Sequence, residues 1–177
     1  MSAAQQEELL FLSNIDQEDF LRFALFDTFH VKKRWKTPVL FAVLMTAFAA
    51  VCFALRQSRE QASLLSGVLL GIGLILPLVW YLWFLSSVKK EARTLGLSKT
   101  RIAYSLLLRE DGVTVRRGKE KAEYAWKNSF MARRVKGCIY LYVLPTRAFL
   151  LPKAEESDAA WDFICRHLPE AKCKDLR

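Results

Sequence analysis

Two long runs without a charge decide what this chain can become. No Asp, Glu, Lys or Arg falls between Thr37 and Leu55, or between Ala62 and Val88. All 27 Lys+Arg and 18 Asp+Glu of the 177 residues therefore lie outside these runs. As helices the runs would be roughly 28 Å and roughly 40 Å long, against about 30 Å of bilayer hydrocarbon. The second must tilt, kink or enter the headgroup region. Pro77 offers a kink point, because its ring removes one N–H and crowds the carbonyl of Gly73. Neither run has a polar stripe, and only Arg56 to Gln61 separate them. The expectation is an antiparallel two-helix transmembrane hairpin over residues 37–88, with spans 37–55 and 62–88. An ordinary soluble globule, a disordered chain and a disulfide scaffold are excluded.

Charge sets the orientation. Lys32, Lys33, Arg34 and Lys36 precede the first span, and Lys89, Lys90, Arg93, Lys99 and Arg101 follow the second. The connecting loop carries only Arg56 and Arg59. The positive-inside rule places both termini in the cytoplasm, as in a two-span, multi-pass protein of the cell membrane. Trp35, Trp80, Tyr81 and Trp83 collect toward the same side, as an interfacial aromatic belt does. No secretory signal is expected, since 36 residues, several acidic, precede the first apolar run.

Small residues recur at every fourth position of both spans: Ala42, Thr46, Ala50 and Ala54 in the first, Ser63, Gly67 and Gly71 in the second. Such stripes let helices approach closely in lipid. With the tip near Ser58, Ala54 would face Ser63, Ala50 would face Gly67 and Thr46 would face Gly71. Packing within the hairpin is the expectation, and a homodimer face is the competing use of the same motif.

The N-terminal arm, residues 1–36, begins with Glu8 to Leu12 as a short strand or extended segment. Asp16 is a helix N-cap, and Glu18 and Asp19 suit the positive end of the helix dipole. The helix runs Gln17 to about Lys33, and Phe20, Phe23, Phe26 and Phe29 mark a face expected to pack on the C-terminal domain; a helix lying in the membrane interface is the competing reading, which Asp19 and Asp27 disfavour.

From Lys89 to Arg177 the pattern changes to a linker and a cytoplasmic domain. A short helix closed by Gly96 leads into strands at Ile102–Arg109, Val113–Arg117, Ala122–Trp126, Phe130–Val135, Cys138–Val143 and Ala148–Leu151. Turn signals at Glu110–Gly112, Gly118–Lys119, Lys136–Gly137 and Pro145–Thr146 separate them. A helix over about Glu155 to Leu168 carries an apolar stripe of Ala160, Trp161, Ile164 and Leu168. The fold class is membrane α+β: the hairpin plus a small antiparallel sheet capped by one C-terminal helix. So small a core needs help from the N-terminal arm.

Several segments carry a resemblance. They are I-D-Q-E-D-F-L-R-F (Ile15 to Phe23) before the spans, then L-L-R-E-D-G-V-T-V (Leu107 to Val115), E-Y-A-W (Glu123 to Trp126), C-I-Y-L-Y-V (Cys138 to Val143), F-L-L-P-K (Phe149 to Lys153) and W-D-F-I (Trp161 to Ile164). In this order they resemble the YcxB-like family of bacterial membrane proteins. The resemblance implies a pleckstrin-homology-like C-terminal domain and carries over no catalytic residue.

Chemistry is scarce. Cys52, Cys138, Cys165 and Cys173 read as free thiols in a reducing compartment. Cys165, His167 and Cys173 fit no common zinc spacing, and His167 reads as a polar residue at a helix C-terminus. No nucleophile elbow, zinc-protease, P-loop or dinucleotide motif occurs, so neither an enzyme nor a cofactor is expected. The spans lack ionisable residues, which argues against a proton or ion path. The remaining signal is basic. Residues 100–177 hold 16 Lys+Arg against 10 Asp+Glu. Arg116, Arg117, Lys119 and Lys121 surround one turn, and Arg133, Arg134 and Lys136 another. These are the candidate contacts for an anionic partner: the inner leaflet in general, a specific headgroup, or an acidic protein. Nucleic acid is not expected, for want of a recognition helix. The chain thus reads as a membrane-anchored interaction module. The alternative is a small accessory or regulatory subunit of a transporter or sensor complex, in which the small-residue stripes meet a membrane-protein partner.

Overall fold

The computed structural model describes residues 8–54, 59–97, 101–129 and 131–177, and the side chains of 59–63 are not among what it describes. The chain divides into two compact units. One joins the N-terminal arm, to Phe23, with everything from Leu95 onward; the other is Ala24–Thr94. The arm is thus divided: its part up to Phe23 counts with the sheet unit, and residues 24–36 count with the other.

The reason is strand β1, Leu9–Ile15. It alternates strictly, with Phe11, Ser13 and Ile15 buried and Leu10 and Leu12 exposed, so one face of the strand must meet a core. It finds that core by pairing antiparallel with β2, Ile102–Leu108, in a register running from Leu9 opposite Leu108 to Ile15 opposite Ile102. Two strands adjacent in space thus enclose the whole apolar hairpin in sequence. Strands β3 (Gly112–Arg117) and β4 (Glu120–Ala125) complete a sheet of order β1-β2-β3-β4. Gly118 opens the two-residue β3–β4 loop at φ +58°, where glycine avoids a Cβ clash.

The second sheet holds β5 (Met131–Val135), β6 (Cys138–Leu144), β7 (Arg147–Pro152) and a short β8 (Cys173–Asp175), in the order β7-β6-β5-β8. β8 runs parallel to β5 and follows a 3₁₀ turn at Glu170–Lys172. Helix α4, Ser157–His167, closes the core. Phe11, Leu106, Leu108, Val113 and Val115 from one sheet meet Ile139, Leu141, Val143 and Leu151 from the other. Trp161, Phe163, Ile164 and Leu168 lie over the end. The outer edge of β7 is served by side chains. Ser13 Oγ and Tyr104 Oη both donate to the Leu150 carbonyl at 2.7 Å, and the Leu150 N–H donates to Tyr104 Oη at 2.8 Å. Those bonds satisfy an edge that would otherwise offer a template for another chain.

Helix α1, Gln17–Phe26, starts as its sequence predicts: Asp16 Oδ1 accepts the N–H groups of Glu18 and Asp19 at 2.9 Å. Of its phenylalanines, Phe23 lies on the sheet unit, its ring 5.2 Å from Tyr140 and 6.0 Å from Tyr142.

In the second unit a π-helical turn, Asp27–Val31, precedes α2 (Lys36–Ala54) and α3 (Arg59–Thr94). Phe29 belongs here, edge-on to Trp80, Tyr81 and Phe84. The helix expected as a linker after Lys89 is an unbroken continuation of α3. Both α2 and α3 are long and apolar enough to cross a membrane, and only 6% of each apolar window is buried within the protein.

The two helices do not close on the expected line. A Cβ at Gly67 or Gly71 would meet nothing within 4 Å, and Thr46, Ala50 and Ala54 are exposed. The contact runs instead along Ala42, Met45 and Ala49 of α2 and Ser66 and Gly73 of α3. A Cβ on Gly73 would sit 3.0 Å from Met45 Cβ, and Ser66 Oγ donates to the Ala49 carbonyl at 3.3 Å. The reason is helical arithmetic. Steps of four advance about 40° each, so the stripe from Ala42 to Ala54 winds through about 120°. Alternating steps of three and four drift only about 20° per heptad and hold one seam. Ala42 lies on both lines; the tip at 55–58 and the Ser63 side chain lie outside what is described.

Candidate functional site: the basic hairpin

The cations predicted at two turns have different fates. On β3 and β4 the chain puts Arg116 directly opposite Lys121, and Arg117 opposite Glu120. Like charges facing across a ladder destabilise a sheet. Nothing in the core requires the Arg116–Lys121 pair, because both side chains are exposed. Lys119 extends the patch into the loop. One carboxylate partly neutralises it: Lys121 Nζ lies 2.5 Å from Glu123 Oε1. That hydrogen bond, and the charge behind it, holds the Glu123 carboxyl below the usual carboxylate range. Arg116, Arg117 and Lys119 thus form a solvated positive hairpin tip.

The second group does not form a patch. Arg133 and Arg134 are neighbours on β5, so their side chains leave on opposite faces. Arg133 is held internally, its Nη1 donating to the carbonyls of Lys172 at 3.0 Å and Ala132 at 3.1 Å. Arg134 is buried, lies 5.8 Å over the Trp161 ring and is ion-paired with Asp158. The guanidinium hydrogen bond keeps the Asp158 carboxyl below its ordinary range. Only Lys136 stays exposed at that turn. A cavity of about 260 Å³ adjoins it, lined by Arg134, Lys136, Lys153, Ser157, Asp158 and Arg177 among others. The sequence reading missed Lys153 and Arg177 there. Lys153 arrives through its N–H donating to the Gly137 carbonyl at 2.9 Å, a bond implied by extending the β6–β7 pairing past Cys138 opposite Pro152. Arg177 is spoken for by Asp175 at 2.8 Å. None of Arg116, Arg117, Lys119 and Lys121 lines this cavity, so the two basic turns do not converge on one site.

Cys138, Cys165 and His167 are held among neighbouring side chains. His167 stacks on Phe163 at 4.6 Å and on Trp126 at 5.4 Å, with Nδ1 2.9 Å from the Phe163 carbonyl. Burial pushes the Cys138 thiol up to about 12. Burial, and the neighbouring Cys173 thiol, push Cys165 up to about 12. Both shifts disfavour the thiolate, the reactive form of a cysteine.

Residues 108–167 match the family model described as YcxB-like protein. The matched stretch runs from the last residue of β2 through α4, so the chain carries a YcxB-like domain. Comparison with curated proteins and with solved structures gives no match.

Proposed function

We propose that this chain, which carries a YcxB-like domain, is a membrane-anchored interaction module. In this reading α2 and α3 span the bilayer, and the sheet unit is a pleckstrin-homology-like domain on the cytoplasmic side. The basic β3–β4 hairpin is offered to an anionic surface. The observation that carries the reading is the β1–β2 pairing. The strand before the hairpin and the strand after it share one ladder, which supports placing the segments that flank the two spans on the same side of a membrane. The Lys and Arg that flank the apolar runs support the cytoplasmic side as that side. The bareness of the helices supports insertion: a soluble core helix would be covered, whereas 6% burial leaves nearly all of both apolar windows to be solvated by acyl chains. Four strands in one sheet, three antiparallel strands in the other and a closing helix support the pleckstrin-homology-like reading.

The test uses the full chain, because a fragment beginning at residue 97 would lack β1. The protein, held in neutral phosphatidylcholine nanodiscs, is floated with vesicles of phosphatidylcholine alone or with added phosphatidylglycerol. Binding to anionic vesicles only, lost on charge reversal of Arg116 and Arg117, is the expected outcome. Equal flotation with both removes the lipid surface as partner. A stoichiometric membrane protein recovered in mild detergent would instead favour the accessory-subunit reading.

A further inference from the structure

We propose that the α2–α3 unit holds one anionic phospholipid at a defined site, separate from the basic hairpin. The proposal rests on the reading that both helices lie in a bilayer. A cavity of about 510 Å³ lies entirely within this unit, inside the range of about 300–1,000 Å³ typical of ligand sites. Its body is apolar, walled by Phe41, Pro77 and Trp83; Arg34, Thr28 and Thr37 bring polar groups to it. An amphiphile with a long apolar tail and a negative head has that distribution.

The polar end is built rather than incidental. Asp27–Val31 is a π-helical turn, a form that often marks functional positions. Thr28, inside it, is buried, and the Arg34 N–H donates to its carbonyl at 3.0 Å. Lys33 turns the chain at φ +50°, a left-handed conformation costly for a residue with a Cβ. The turn therefore fixes Arg34 beside Thr28. Charge then selects the occupant. Lys32 is matched by Asp27 at 2.6 Å, whereas Arg34 has no ion pair among the described residues, and exposed Lys33 and Lys36 flank it. A phosphate on Arg34, with one acyl chain against Pro77 and Trp83, answers both the charge and the apolar wall. Along the same wall Trp80 stacks on Phe84 at 5.9 Å.

The reporters are Trp80 and Trp83, in a full-length chain carrying Trp35→Phe. Brominated phosphatidylglycerol or brominated phosphatidylcholine, as a minor component of vesicles, quenches an indole that touches its acyl chain. One cation near the surface favours an anionic lipid about fivefold. Half-maximal quenching by the anionic lipid is thus expected at about one-fifth the mole fraction needed for the neutral one. Arg34→Gln removes that preference and Arg34→Lys keeps it. Equal quenching by both lipids means ordinary boundary lipid, and overturns the proposal while leaving the spans intact. No quenching by either lipid overturns it for a different reason, because the helices would then not lie in acyl chains.

Discussion

Phe11 should behave as a core residue of a domain whose other strands begin only at Ile102, beyond both apolar helices. Its side chain is fully buried and belongs to the same cluster as Leu106, Leu141 and Ile164. Truncating a buried Phe to Ala costs about 3–5 kcal/mol. For a domain of about 100 residues each kcal/mol moves the midpoint by about 4–8 °C, so Phe11→Ala should lower Tm by at least about 12 °C. Leu10, one residue earlier, is 55% exposed on the opposite face, and Leu10→Ala should stay within about 0.5 kcal/mol. The assay is thermal unfolding of the full chain in detergent, followed by the fluorescence of Trp126 and Trp161. Both are buried in the sheet unit, and Trp35, Trp80 and Trp83 are replaced by Phe. If the two variants melt together, the arm contributes no core and the β1–β2 pairing is wrong.

Other consequences can be measured separately. In a Cys52→Ala background, the pair Ala49→Cys with Ser66→Cys should cross-link within one chain, and Ala50→Cys with Gly67→Cys should not. Gly73→Leu should lower that cross-linking yield by forcing the helices apart at Met45, and Gly67→Leu should leave it unchanged. Tyr104→Phe removes the hydroxyl serving the Leu150 N–H, so a loss of about 1–3 kcal/mol is expected in denaturant unfolding. Burial raises the Cys138 thiol from its ordinary 9.0 up to about 12. The fold therefore favours the neutral thiol, and this stabilisation is whole below about pH 9 and is lost between there and pH 12. A chemical-denaturation series across that window should show stability falling as pH rises, and Cys138→Ala should flatten the early part of the fall.

Local rules explain what could be read from the chain alone. The two helices, the Asp16 cap, the β3–β4 and β5–β6 turns and the stripe of α4 each follow from residues within a few positions of one another. The features that escaped depend on partners distant in sequence. The alternation Phe11, Ser13, Ile15 marks a strand with one buried face, but nothing near it says that its neighbour is β2. β8 is three residues long and pairs parallel with β5 through Ala132 and Cys173, with no turn signal to announce it. In the basic turns, spacing identified the cations but not their directions. Adjacent strand positions diverge, so Arg133 and Arg134, which look like one patch in the sequence, are both engaged internally in the fold.

The placement of the hairpin follows from the same ladder. A β1–β2 connection ordinarily needs only a few residues, yet here it contains both apolar helices. An insertion at that point leaves the remaining turns of the sheet unit untouched, including the one bearing Arg116, Arg117 and Lys119. It also imposes a constraint: β1 can pair with β2 only after α3 has been made, so the sheet unit cannot close before both helices are complete. Truncation of β1 should therefore leave helix insertion unchanged and abolish protease resistance of residues 101–177. Normal resistance after that truncation would mean that the C-terminal strands close without the arm, and the account of one sheet built from both sides of the hairpin would fail.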